Sequence, residues 1–152
     1  MLRGLGLDIN RVKNELIARF QVDEKTAQEM YDWYDNLIEM MRMEKVEQAG
    51  HIQVLRNDVN ELTELHFFLL HEVHDMRYQQ IVSGAAMNLV EFRTKAGVGN
   101  EVSDVELALN ALYGHLMLRL QKKEVSAQTL QAMEAFGKMI GYLAARYKKM
   151  EE

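Results

Sequence analysis

The sequence predicts an all-α protein: a compact bundle of about six antiparallel helices forming a single domain over residues 1–152. Three observations predict it. Apolar residues recur at steps of three and four along nearly the whole chain, and no long stretch alternates with the period of two that a half-buried strand requires. Proline is absent, so no backbone donor is missing and no ring interrupts a helix. Several apolar runs also begin just after an Asp or Ser able to cap free helix N–H groups.

The first helix opens at Asp8 and carries Ile9, Val12, Leu16, Ile17 and Phe20 on one face. Asp23 caps the second, whose core stripe is Ala27, Met30, Tyr31, Tyr34, Leu37, Ile38 and Met41, and Gly50 ends that stretch. A third helix repeats in heptads through Ile52, Leu55, Val59, Leu62, His66, Leu69 and Val73. Asp75 ends it or caps a fourth, whose stripe runs Tyr78, Ile81, Val82, Ala85, Leu89, Phe92 and Ala96. A single helix across both would far exceed the ordinary length of about 8–20 residues, so a break is expected near Asp75. Gly97-Val98-Gly99-Asn100 is the clearest loop. Beyond it, Ser103 and Glu106 form a capping box for a fifth helix with Val105, Leu109, Leu112, Leu116 and Leu120 on its core face. Ser126 caps the sixth, with a stripe of Met133, Phe136, Ile140, Leu143, Ala144 and Tyr147.

Composition narrows the function classes. With 48% hydrophobic and 27% charged residues the chain is richer in apolar side chains than disordered sequences are. Cysteine is absent, which removes disulfides, thiolate metal sites and cysteine nucleophiles. No apolar run approaches the ~20 residues that span a bilayer, and the start lacks the apolar core of a secretory signal, so the expected location is cytoplasmic. The net charge is −5, and its acidic excess falls on the second helix, where residues 23–47 hold 8 acidic and 3 basic side chains. Such a balance argues against nucleic acid as a partner, since that needs a basic face.

Among polar clusters the most prominent is His66, His71, His74 and Asp75. His71-Glu72-Val73-His74 falls one residue short of the metalloprotease spacing, in which two histidines stand at i and i+4. No histidine has glutamate three residues before it, so the inward Glu-x-x-His pairs of carboxylate-bridged di-iron bundles are missing. At about 100° per residue His66 lies in the apolar stripe while His71 and His74 point away from it. The economical reading makes His66 a core imidazole bonded to a neighbouring helix and the other two helix-end residues favoured by the macrodipole. The alternative is a metal or small-ligand site that uses His71, His74 and Asp75, or a pocket around His66. Asp32 and Asp35, with Glu24 and Glu39, form a solvated acidic face. Ser103 and Ser126 are engaged as caps, and no nucleophile elbow or phosphate loop occurs, so no catalytic residue is assigned. Gly137 and Gly141 are spaced to admit a close neighbouring helix.

Two surplus apolar strips bear more directly on function. Trp33 and Met40 stand seven apart on the second helix, well off its core stripe, and Leu107, Ala111 and Leu118 lie on the fifth opposite its main one. Either these helices are central in the fold or they meet another chain.

The stretches Leu5-Gly6-Leu7-Asp8-Ile9, Trp33-Tyr34-Asp35-Asn36-Leu37-Ile38-Glu39-Met40-Met41 and Asn110-Ala111-Leu112-Tyr113-Gly114-His115-Leu116-Met117-Leu118-Arg119-Leu120-Gln121-Lys122-Lys123-Glu124 resemble a family of small all-helical bacterial proteins described as a domain of unknown function. The resemblance runs over most of the chain, implies an all-helical fold and a bacterial cytoplasmic setting, and brings no catalytic residues. It also implies a further amphipathic helix ahead of the position of Leu2 in relatives, which would supply a neighbour for Trp33 and Met40. The expectation is therefore a non-enzymatic helical interaction or regulatory module, without cofactor, acting as a homo-oligomer and most simply a homodimer. Its interface candidates are Trp33, Met40, Leu107 and Leu118. An unidentified protein is the other expected class of partner, and neither nucleic acid nor membrane is expected.

Overall fold

The computed structural model describes residues 1–151, all of them in helices or the turns between them. Six α-helices follow one another: α1 (Ile9–Glu15), α2 (Glu24–Met43), α3 (Gln53–Phe67), α4 (Met76–Ala96), α5 (Asp104–Leu120) and α6 (Ala127–Glu151). Short 3₁₀ segments at Leu2–Leu5 and Ile17–Phe20 flank α1, and a π-helical turn, Phe68–Glu72, extends α3. The chain divides into two compact units, Met1–Arg56 and Asn57–Glu152.

The expected caps are in place, because each side-chain oxygen meets a donor that the helix cannot use internally. Asp8 accepts from Asn10 N–H at 2.9 Å, Asp23 from Thr26 N–H at 3.0 Å and Ser103 from Glu106 N–H at 3.1 Å. Ser126 accepts from Thr129 N–H at 3.2 Å. The expected break falls at Asp75, which caps α4 through Tyr78 N–H at 3.0 Å.

In the first unit Val12, Leu16, Ile17, Tyr34 and Ile38 are buried, as the stripes of α1 and α2 predict, whereas Phe20 remains 41% exposed. Arg3 closes this unit through its guanidinium, which donates to the carbonyls of Val46, Glu47 and Gly50 after α2. Arg42 donates to the Leu7 carbonyl at 3.1 Å and ties the other end.

In the second unit the core draws on α3, α4, α5 and α6: Leu65 and Leu69, Tyr78, Ala85 and Leu89, then Val105 and Leu107, with Phe136, Met139 and Leu143. α4 packs against α5 and α6, and α5 against α6. The segment before α5 is held by Arg93, which donates to the carbonyls of Gly99 and Val102 and pairs with Asp104 at 2.7 Å.

Two expected faces are corrected. On α5 the buried residues are Val105, Leu107, Ala108 and Ala111, while Leu109 and Leu112 are half-buried and Leu116 is 48% exposed. At about 100° per residue that face is turned roughly a quarter-circle from the leucine stripe and centres on Ala108. The physical reason is size: Ala108 and Ala111 let neighbouring helices approach more closely than leucines do. On α6 Met139 is fully buried and Ala144 exposed. Nor do Gly137 and Gly141 seat a close neighbour, because a Cβ built on either meets nothing within 4 Å.

Several helices end without glycine. Lys45 after α2 and Lys122 after α5 both have φ of 56°, the left-handed region that disfavours a side chain. The bonds Val46 N–H to Met41 O (2.9 Å) and Lys123 N–H to Leu118 O (3.0 Å) close a Schellman turn at each site.

Leu107→Ala is expected to destabilise the protein by ~2–5 kcal/mol and Leu116→Ala by less than about 1 kcal/mol. Equal shifts in urea midpoint for the two would contradict the observed rotation of α5. Lys45→Gly is expected to stabilise by about 0.5–1 kcal/mol by relieving the left-handed strain. A lower midpoint in that variant would show that the Lys45 side chain contributes more than its backbone costs.

Candidate functional site

Polar side chains of the second unit converge where α3 gives way to α4. The π-helical turn at Phe68–Glu72 widens the end of α3, with Val73 N–H bonded to Phe68 O at 3.0 Å and Asp75 N–H to Leu69 O at 2.8 Å. His74 turns the chain with φ of 52°, and Asp75 then starts α4.

Asp75 is the centre of the group. Its side chain is only 7% exposed and meets three donors. Oδ1 accepts from Tyr78 N–H at 3.0 Å, and Oδ2 accepts from the Tyr142 hydroxyl at 2.8 Å and the Arg146 guanidinium at 2.6 Å. Tyr142 and Arg146 stand four apart on α6, the helical spacing that puts two side chains on one face. The backbone bond from Tyr78, then those from Arg146 and Tyr142, hold the Asp75 carboxyl down at about 2, from its usual 3.8.

A second, dry pair adjoins it. Tyr78 is fully buried, and its ring lies parallel to that of Tyr142 at 5.4 Å. Its hydroxyl is 2.8 Å from His66 Nδ1. Burial pushes the Tyr78 phenol up, and burial likewise lowers His66 from its usual 6.5, so both groups are neutral at pH 7. Arg77 and Arg146 sit over the Tyr142 ring at 5.9 and 5.7 Å. Chemically this is an anchor. Oδ2 of Asp75 is engaged by two donors and the carboxylate is held ionised, so it is a poor proton acceptor near neutrality.

The structure distributes the sequence candidates unevenly. His66 occupies the core position expected of it and bonds to the neighbouring helix. His71 stacks on Phe67 at 6.0 Å, and His74 Nδ1 lies 3.2 Å from Leu70 O. These histidines and Asp75 do not converge, and no group of three or more His, Asp or Glu side chains among the described residues is placed to hold a metal ion. Leu107 is corrected as an interface candidate: at 1% exposure it is core, because α5 turns its alanine face inward. Leu118 is half-buried and Met40 partly exposed, while Trp33 is 57% exposed. Tyr142 and Arg146 were invisible as site residues in the sequence. Their i, i+4 spacing on the sixth helix is a signal of a shared face, but nothing in the chain links that face to Asp75, 67 and 71 residues away.

The fold and this network define an all-helical protein in which a buried carboxylate joins helices distant in sequence. The chain belongs to the family described as "Domain of unknown function (DUF4924)", whose model matches residues 1–152. No curated protein and no solved structure matches it. No helix among the described residues is long and apolar enough to cross a membrane.

The lowered value of Asp75 sets a pH dependence. A carboxylate held below its unfolded value contributes stability that is present above about 3.8 and lost as the pH falls towards about 2. His66, also lowered, contributes stability present above 6.5 that fades on acidification through its folded value. Urea midpoints measured from pH 5 to pH 2 should fall more steeply for wild type than for Asp75→Asn, which keeps the cap but not the charge. Parallel curves would remove Asp75 from the centre of the network.

Proposed function

We propose that the chain is a non-enzymatic helical interaction module that works as a homo-oligomer, in the bacterial cytoplasm and without nucleic acid or membrane as partner. The observation that supports this reading best is the placement of Trp33. It is the only tryptophan in the chain, yet it is 57% exposed on the side of α2 away from buried Ile38. Its indole meets the ring of Tyr34 edge-on, at 4.8 Å and 69°. Met40, seven residues along, lies on the same side. Tryptophan dominates interface energetics because it buries a large rigid area while keeping one donor for a polar rim, and methionine beside it adapts to an imperfect partner. The acidic balance of α2 and the chain's net charge of −5 support the exclusion of nucleic acid.

Sedimentation of wild type and Trp33→Ala over a concentration series tests the reading. Wild type is expected to exceed the 17.7 kDa of one chain, and the folded variant to associate at least ~10-fold more weakly, as loss of a hot-spot side chain implies. Wild type that remains at 17.7 kDa at the highest concentration would end the homo-oligomer reading. Identical assembly of the two proteins would remove Trp33 from the interface.

A further inference from the structure

The outer face of α4 has a pattern that its packing within the second unit does not use. Tyr78, Ala85 and Phe92, seven apart, mark the side turned to the core. Directly opposite runs a line of side chains at alternating steps of four and three: Met76, Gln80, Ser83, Met87, Val90 and Thr94. Met87 is 86% exposed, Met76 74% and Val90 67%, and Gln80, Ser83 and Thr94 are exposed as well. This is the spacing of a coiled-coil seam, about 27 Å long, on a helix whose other side is already packed.

We propose that this seam pairs with the α4 seam of a second copy in an antiparallel two-fold contact. The inference rests on the homo-oligomer reading above and adds a face and a partner geometry. Self-complementarity supports it first. When two such helices run antiparallel about a two-fold axis near residue 85, Met87 lies opposite Ser83 of the partner subunit, large against small. Gln80 then faces Val90 and Met76 faces Thr94 across the axis. Space supports it next: on the flanks beside the axis stand Gly84 and Ala86, both exposed, and a Cβ at Gly84 meets nothing within 4 Å. Two small residues at the crossing permit a close approach of the helices, towards the short end of the usual ~8–10 Å separation.

Charge complementarity selects this arrangement over its alternative. In the antiparallel pairing the flank that carries Gly84 also brings Arg77 of each copy opposite Glu91 of the other, giving two opposite-charge pairs related by the axis. A parallel pairing would set Gln79 against Gly84 and Ala86 against Glu91, with no opposite charges. Arg77 already rests over the Tyr142 ring, and Glu91 already accepts from Lys95 at 2.7 Å, so the pairs extend existing surface networks. About ten seam and flank residues per copy is below the ~20–30 of a standard interface, the size class of weak, transient contacts.

Because the chain contains no cysteine, one introduced thiol reports on one place. Gly84→Cys, treated at tens of micromolar with a short bis-maleimide, is expected to give cross-linked dimer much faster than Gly137→Cys, an equally open glycine on α6. Adding Met87→Glu should slow that cross-linking at least ~10-fold, as burying a charge in an interface core does; a folded protein is expected, since Met87 is exposed. Arg77→Glu should also slow it, and Arg77→Glu with Glu91→Arg should restore it, which a merely structural effect of either change would not do. Adding Trp33→Ala separates the two faces: Gly84→Cys cross-linking that persists supports the α4 contact whatever the α2 face does. Gly84→Cys that links no faster than Gly137→Cys, in a wild type shown to be oligomeric, overturns the α4 seam and leaves the homo-oligomer reading standing.

Discussion

The second unit depends on the carboxylate of Asp75. An aspartate starting a helix ordinarily satisfies one or two free N–H groups at the surface. Here the same carboxylate also receives Tyr142 and Arg146 from α6, so capping of α4 and docking of α6 are one event. The π-helical turn before it makes this geometry available. One extra residue per turn changes where α3 ends, and His74 turns the chain in a conformation that costs a side chain about 1–2 kcal/mol. Strain of that kind persists where surrounding structure over-determines it, and the three bonds to Asp75 with the Tyr78–His66 pair behind them supply that constraint.

The network also explains why the residues of the most conspicuous polar cluster in the sequence are not brought together. His66 is drawn into the core by Tyr78 and Asp75 is turned to α6, while His71 and His74 remain exposed beside Phe67 and the Leu70 carbonyl. A charged carboxylate with three donors is far better solvated there than it would be with one exposed imidazole. The stacked pair of Tyr78 and Tyr142, flanked by two guanidinium groups, extends the same logic from hydrogen bonds to ring faces.

Legibility in the sequence varied with the kind of information needed. Asp8, Asp23, Asp75, Ser103 and Ser126 could be read as helix starts because capping is decided within three residues. The stripes of α2 and α4 could be read because on each helix the side richest in apolar residues is the side that packs. α5 could not be read that way. It is apolar on two sides, and periodicity alone ranks a leucine stripe above an alanine face, although closeness of approach favours the alanines. The candidate site was half legible: His66 and Asp75 stood out, but Tyr142 and Arg146 did not, since their role exists only once α6 lies against α4.

The sequence by itself determined that this chain is all helical, where its helices begin, and that it has more apolar surface than single-sided helices need. Those properties follow from local rules of capping, periodicity and composition, each acting over a few residues. Tertiary structure alone decided which side of α5 is inside, that Asp75 binds α6, and that Leu107 is core while Met76, Met87 and Val90 are left outside. The physical reason is that these outcomes depend on helix approach distance and on partners dozens of residues apart, neither of which is encoded in any one segment.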